Sequence, residues 1–458
     1  MTRSSNGIDG QWKKHTIFKN GAIMLRKPLF VNDNKRALVG FHTVHRNGSG
    51  CFYSDDDGLS WKLSNQVQVA DHEPGGLHKG YRWNHGAVEP SLVELKDGRI
   101  WMLMRTAQDH HYESFSSDHG TTWSEPKPSR FYGTITMPNI GRLMDGRLLL
   151  IWNNATPLPE LPGTNGIWED VFTNRDVLHC AISEDDGKSW IGFRELYLNP
   201  SRYDSIFATR LPEDTNDRSV HQSEFIEVDT GKVLVSLGQH HLHRRLLLFD
   251  VEWLYEKERY TDFSDDLEQW STQKYIKGIK GHCAYNRKHG ATLVPHPEKK
   301  EQQAMHLRSL SDSSLLYQND GALWNFPAGT RGELTIKLKI NQGSKGTRIS
   351  LLDRWFNPID TTSSKFAMFN FEIPVIGENT DLALWNQKDW NELKFKWSNT
   401  QETNGKCQVF LNDTLINENL PINFTSMNGI SYVHLISTSQ EEDPAGILIE
   451  SVYAKTKR

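Results

Sequence analysis

Ser54-Asp55-Asp56-Asp57-Gly58-Leu59-Ser60-Trp61 is written twice more in this chain. The second copy is Ser116-Ser117-Asp118-His119-Gly120-Thr121-Thr122-Trp123. The third is Ser183-Glu184-Asp185-Asp186-Gly187-Lys188-Ser189-Trp190. The shared pattern is S-x-D-x-G-x-[ST]-W, with starts 62 and 67 residues apart. A fixed motif at long spacing marks a repeat architecture. Ser and Asp side chains close a turn by bonding backbone N–H groups, and Gly supplies a positive φ. Trp pins the tip onto the sheet beneath it. Each copy therefore reads as a self-locking β-turn, a structural device rather than a catalytic one.

Around the boxes lie segments of one further type. Glu89 to Arg105 runs through Asp97-Gly98, Leu143 to Trp152 through Asp145-Gly146, and Glu227 to Ser236 through Thr230-Gly231. Each reads as strand, tight turn, strand, which is hairpin chemistry. Strand–turn–strand units with locked tips are what propeller blades require. The boxed pattern resembles the Asp box of sialidases and other Asp-box (BNR) β-propellers, over roughly the first 255 residues. The resemblance implies an all-β fold. At about 45 residues per blade, five or six blades are expected.

Composition bounds the rest. The 458 residues carry a net charge of −5 and are 37% hydrophobic, with a mean hydropathy of −0.61. A membrane span is not expected. Neither is a general nucleic-acid binder, which needs a basic face. The start, Met1 to Asn6, has no apolar run. The expected compartment is therefore the cytoplasm, or the periplasm or exterior if a leader has been removed. Cys51, Cys180, Cys283 and Cys407 lie far apart without a C-x-x-C and read as buried thiols.

Beyond Trp253-Leu254-Tyr255-Glu256-Lys257, a short helical exit, the character changes. Boxes stop and long period-two strands begin at 332–340, 348–352, 366–373 and 390–397. Residues 1–257 are thus expected to form a catalytic propeller. Residues 258–458 are expected to form an accessory jelly-roll or lectin-like (concanavalin-like) β-sandwich.

Chemistry on a propeller belongs in the loops converging at one mouth of the channel. The segment Lys79 to Pro90 offers Arg82, His85 and Glu89; Ser129 to Pro138 offers Tyr132. A long Pro-rich insertion, 157–179, ends in Glu169, Asp170, Arg175 and His179, and long insertions are usually functional. Asp217 to Glu224 offers His221 and Gln222, and Gly238 to Arg245 offers His240. Each has a bland counterpart: a capping His, a wall Tyr, a self-paired charge. No H-E-x-x-H or two-Cys/two-His spacing is present, so neither a catalytic metal nor another cofactor is expected, and a structural ion stays open.

The resemblance to sialidases implies a carboxylate held by three arginines. Arg26-Lys27-Pro28 is similar to that family's Arg-Ile-Pro start, and Arg105 ends a strand where a second arginine belongs. The place for a third, after Leu237, reads Gly238-Gln239-His240. The loops otherwise supply His, Tyr, Arg and Gln, a set that suits β-elimination beside a uronate carboxylate. Arg neutralises the carboxylate and His takes the acidified proton. The expected activity is therefore a dehydratase or lyase at the non-reducing end of an acidic, ulvan-like oligosaccharide. His85 and His221 serve as base and acid, with Tyr132 as an alternative acid. Arg26, Arg82, Arg105, Arg175, Gln222 and His240 bind the substrate. An exo-acting hydrolase of sialidase type and a non-catalytic glycan-binding propeller are the alternatives. The acidic oligosaccharide is the one partner expected.

Overall fold

The computed structural model describes residues 2–4, 9–14, 21–46, 48–76, 82, 86–133, 135–156, 175–203, 219–238, 244–277, 287–373, 375, 385–386 and 389–457. They form antiparallel sheets joined by turns and short 3-10 segments.

The boxes close as their residue types require. In the second, Ser116 Oγ donates to Asp118 Oδ1 at 2.8 Å and accepts from Gly120 N at 2.8 Å. Asp118 in turn accepts from Thr122 N and Oγ1 at 2.8 and 2.7 Å. The first and third repeat these bonds through Asp56 and Asp185. Two successive left-handed residues make the turn, such as His119 at φ 54° and Gly120 at 85°. A side chain is strained there and glycine is not. The second and third tips then latch onto the preceding sheet. A Cβ on Gly120 would lie 2.8 Å from Leu38, and one on Gly187 would lie 3.1 Å from Trp101. Trp190 packs edge-on against Phe131 at 5.1 Å. Trp123 and Trp190 are buried, whereas Trp61, on the first sheet, is half-buried.

Four meander sheets follow in chain order. The first is built on Arg36–Thr43 and Ser49–Ser54, flanked by Ala22–Ile23, Leu29–Val31 and Lys62–Leu63. The second is Val88–Glu94, Ile100–Arg105, His110–Ser116 and Lys127–Tyr132. The third is Asn139–Arg142, Leu148–Trp152, Val177–Ser183 and Ile191–Leu198. The fourth is Glu224–Asp229, Lys232–Leu237 and Arg245–Asp250. Strand alternation stacks them face to face. In the third sheet Leu148, Leu150 and Trp152 join a core with Trp101, Leu103 and Phe131 of the second. The intervening Leu149 and Ile151 join Val233, Val235 and Leu237 of the fourth. First strands of the sheets line one cleft of about 380 Å³, together with Arg26 and Pro28.

The turns fix which end is which. Boxes join third to fourth strands, and the Asp-Gly-type turns join first to second strands. Both therefore lie at one end of every meander. Links between sheets, and those from second to third strands, lie at the other end. Arg82, Arg105, Tyr132, Arg175, His221 and Gln222 all belong to that second end.

Residues beyond 257 build two further sheets around one core that draws on both. The larger centres on Arg331–Ile340, Asn391–Ser398 and Asp443–Lys457. The smaller holds Gly321–Gly329, Thr347–Leu352, Phe369–Ile373 and Ile430–Ser437. The expected strand at 366–373 begins only at Phe369, because Ser363–Phe366 is a 3-10 turn that carries Phe366 onto Phe356. Cys51, Cys180 and Cys407 are buried free thiols, as read from spacing; Cys283 lies outside the described residues.

Asp118→Ala should lower stability by about 2 kcal/mol, the scale of charge-assisted bonds, seen as a fall in Tm. Gly187→Ala should act in the same sense through its positive φ and its contact with Trp101. Bonds from Ser60 lower the Asp56 carboxyl to about 2. At Asp118 and Asp185 burial pushes upward, but the bonds from Thr122 and Ser189 more than offset it. Folded values below unfolded ones mean the latches stabilise above roughly pH 4. That contribution should vanish as pH falls through the folded values, read as loss of near-UV tryptophan circular dichroism.

Candidate active site

One buried arginine, Arg105, pairs with the Glu89 carboxylate, and the charges of Arg175 and Arg26 lie near enough to act on it. Arg26 lies between two strands of the first sheet, Arg105 ends a strand of the second, and Arg175 precedes a strand of the third. Arg105 Nη1 binds Glu89 Oε2 at 2.8 Å, and both side chains are nearly buried. Glu89 opens the second sheet at a left-handed φ of 50°, a conformation that costs free energy and clusters at functional sites. Burial pushes its carboxyl up, but Arg105, His42 and Arg175 more than offset this and hold it below its usual range. Burial lowers Arg105 to about 10, opposed by Glu89 and reinforced by Arg175. Arg26 is lowered by burial as well, opposed by Glu224 and by Glu89.

The backbone holds each guanidinium in place. Arg26 donates to the carbonyls of Ser223 and Pro138 at 2.7 and 2.6 Å and forms an ion pair with Glu224. It thereby ties the first sheet to the third and fourth. Arg175, 3% exposed, donates to the carbonyl of Ile135. Ile135 is a β-branched residue held at φ 53° by its own N–H bond to Thr106. The Val220 N–H reaches the Arg175 carbonyl at 2.8 Å, which brings the fourth sheet alongside.

Two buried histidines accompany the arginines. His42 accepts the Glu89 N–H on Nδ1 at 3.2 Å. Burial, against Glu89 and with Arg105, lowers it to about 4. Fully buried His111 is lowered to about 3 by burial. Both are therefore neutral at pH 7. Among the described residues, the buried Thr136 Oγ1, Asn153 Oδ1, Ser223 Oγ, Arg26 Nε and Arg105 Nε find no hydrogen-bond partner. Such atoms call for water or a polar ligand.

The other expected residues fall as follows. Arg82 is buried; it binds Asp109 Oδ1 and the Ala107 carbonyl, each at 2.8 Å, and so braces a loop. Tyr132 is 7% exposed, with the Arg354 guanidinium 3.7 Å above its ring and the His110 ring tilted against it at 4.3 Å. Burial raises its hydroxyl pKa, and Asp353 adds to this. His221 is 1% exposed, with Ser219 Oγ 3.2 Å from Nδ1. Gln222 is left-handed at φ 55° and borders a shallow pocket with Gly238 and Arg244. His85 and His240, like Glu169 and Asp170, lie outside the described residues. Among the described residues no group of three His, Cys, Asp or Glu is placed to hold a metal.

Sequence reasoning missed Arg354, Asp353 and His111. Arg354 comes from the sandwich and donates to Asp353 at 2.6 Å and to Thr156 Oγ1 at 2.7 Å. Trp355 and Asn154 pair through their backbones beside it. No local pattern marks such a contact, because its partners lie some 200 residues apart in sequence. No arginine follows Leu237 directly in sequence, and a third arginine near Glu89 and Arg105 is Arg175.

A family model described as "BNR repeat-like domain" matches residues 2–235, and the chain belongs to that family. An anhydrosialidase of Macrobdella decora is 30% identical over 129 residues, which are 26% of this chain and 15% of that relative. The chain thus aligns with less than a sixth of that relative's length. Among solved structures, Trypanosoma rangeli sialidase in complex with sialic acid is 11% identical with a TM-score of 0.32, covering 100% of this chain and 74% of that one. The intramolecular trans-sialidase of Ruminococcus gnavus is 21% identical with a TM-score of 0.31, covering 50% and 44%.

Removing Arg105 leaves Glu89 buried and uncompensated, which costs about 3–5 kcal/mol. Arg105→Ala should therefore lower the denaturant midpoint sharply. The double variant Glu89→Gln/Arg105→Met should recover a large part of the loss. Equal midpoints for wild type and Arg105→Ala would show the pair to be solvated.

Proposed function

We propose that this protein is a carbohydrate-active enzyme that grips the acidic non-reducing terminal unit of an oligosaccharide. The observation that carries this is the meeting of Arg26, Arg105 and Arg175 at the end of the sheets opposite the boxes. Guanidinium groups bind a carboxylate or sulfate bidentately. The unpartnered buried polar atoms around them suit the hydroxyls of a sugar.

Within this reading the reaction is β-elimination, by a dehydratase or lyase acting on a uronate unit of ulvan type. An arginine neutralises the uronate carboxylate, and the C5 proton passes to a neutral base. His85 and His221 are proposed as base and acid. His42 joins them as a neutral imidazole already set against Glu89. Its Nδ1 accepts a backbone N–H, so Nε2 bears the proton in the neutral form and would serve as a donor. Tyr132 under Arg354 is better suited to shaping the site than to releasing a proton. Arg82, Gln222 and His240 stand as supporting substrate contacts.

Hydrolysis of sialidase type is the second reading, and the arginine trio favours it as well. In fold terms the proposal is a catalytic propeller of five or six blades over 1–257, of which the four described sheets are part. A jelly-roll-type accessory sandwich spans 258–458.

Incubation with uronate-terminated oligosaccharides and with a sialyl conjugate separates the readings. Elimination yields a conjugated double bond seen by ultraviolet absorbance, whereas hydrolysis adds water, seen by mass. Turnover of either substrate should fall about a hundredfold or more in His221→Ala if that residue transfers a proton. Unchanged rates would remove it from the reaction. Turnover of neither substrate would leave a binding protein and sink both catalytic readings.

A further inference from the structure

The last strand of a sheet offers a row of N–H and C=O groups to any other strand, and proteins blunt such edges. Three of the four described meanders do so here. The first ends in a strand of only two residues, Lys62–Leu63. The second ends in Lys127–Tyr132, which exposes Lys127 and Pro128. The third ends in Ile191–Leu198, and the sandwich covers it. Asn325 accepts the Glu195 N–H at 3.1 Å and donates to the Phe193 carbonyl at 3.0 Å.

The fourth meander lacks these devices. No box follows its third strand, Arg245–Asp250, and the chain turns at once into the 3-10 segment Val251–Tyr255. Among the described residues no strand pairs with the outer side of Arg245–Asp250. The run from Leu246 to Phe249 contains neither a charge nor a proline. Leu247 and Phe249 pack toward the third sheet. Leu246 and Leu248 face the other way and are 71% and 63% exposed.

The exposed face carries a second regularity. Arg244, just before the strand, continues the alternation, so Arg244, Leu246, Leu248 and Asp250 fall on one side, and all four are exposed. Turned about an axis through Leu247, the series matches itself. Arg244 meets Asp250, and Leu246 meets Leu248. Asp250 gives Oδ1 to the Glu252 N–H at 3.0 Å, and its other oxygen takes no part in that bond.

We infer that this edge is an interface for a second copy of the chain, with the two Arg245–Asp250 strands paired antiparallel about Leu247. A two-fold contact requires a self-complementary surface, and an apolar centre with opposite charges at its two ends is one. The two three-stranded sheets join into one of six strands. Leu248, already opposite Leu234 in its own sheet, gains Leu246 of the partner subunit, and an opposite-charge pair closes each end. The inference stands apart from the proposed activity.

The test is sedimentation equilibrium of the full chain at micromolar concentration. The wild type should be a dimer. Arg244→Glu places like charges opposite each other at both ends and should raise the dimer Kd at least tenfold. Leu246→Lys and Leu248→Glu, at exposed positions, should each be monomeric alone. An equimolar mixture of the two should dimerise, because only there do opposite charges face each other across the axis. A monomeric wild type, or a dimer indifferent to Arg244→Glu, would overturn the interface. A mixture that stays monomeric, or single leucine variants that dimerise as tightly as the wild type, would overturn the pairing about Leu247 and with it the inference.

Discussion

The Ser–Asp–Gly latch at each box is the constraint on which the sheet stack depends. One carboxylate accepts two or more bonds across a turn of two left-handed residues, so the tip keeps one shape. A tip of fixed shape presents Gly and Trp to the neighbouring sheet in one register. Gly120 meets Leu38, and Gly187 meets Trp101, at distances that no larger side chain fits. The boxes thus act between sheets as much as within them. Because they occupy one end of the meanders, the opposite loops are left to carry chemistry.

At that opposite end the largest cost is desolvation of guanidinium groups, which do not escape burial by losing a proton. Carbonyls face Arg26 and Arg175, and carboxylates pair with Arg26 and Arg105, where these cations are buried. The same desolvation keeps His42 and His111 neutral. A site of fixed cations and neutral imidazoles suits an acidic sugar better than a neutral one. Left-handed Glu89, Ile135 and Gln222 lie at the entries to successive sheets. Strained backbone there is held by the ion pair, the Thr106 bond and the neighbouring strands.

The sandwich is bonded into this arrangement rather than tethered to it. Asp353, Arg354 and Trp355 pair with Asn154 and Thr156. Farther along the seam Tyr432 donates to Glu195 at 2.8 Å and meets His179 Nε2 at 2.5 Å. The His179 Nδ1 accepts the Asn154 N–H, so its Nε2 carries the proton toward the tyrosine. Buried polar groups bonded across the seam in this way favour one docking geometry. Tyr132 is consequently shaped by a residue from the other half of the chain.

What the residue string determined is local: the three latched turns, the Asp-Gly hairpins, the period-two strands, the buried thiols and the change of character near residue 257. Each follows from the conformational preferences of a few adjacent residues. It also pointed to Arg26, Arg82, Arg105 and Arg175 as cations for an acidic ligand, because strand ends and long loops face one mouth; of these, Arg82 is taken by Asp109. Only the tertiary structure decided that Arg105 pairs with Glu89 with the charges of Arg26 and Arg175 nearby, that His42 and His111 are buried as neutral rings, and that Arg354 covers Tyr132. Those outcomes depend on burial and on contacts between distant segments. Desolvation is a property of the assembled surroundings, and no window of sequence contains it.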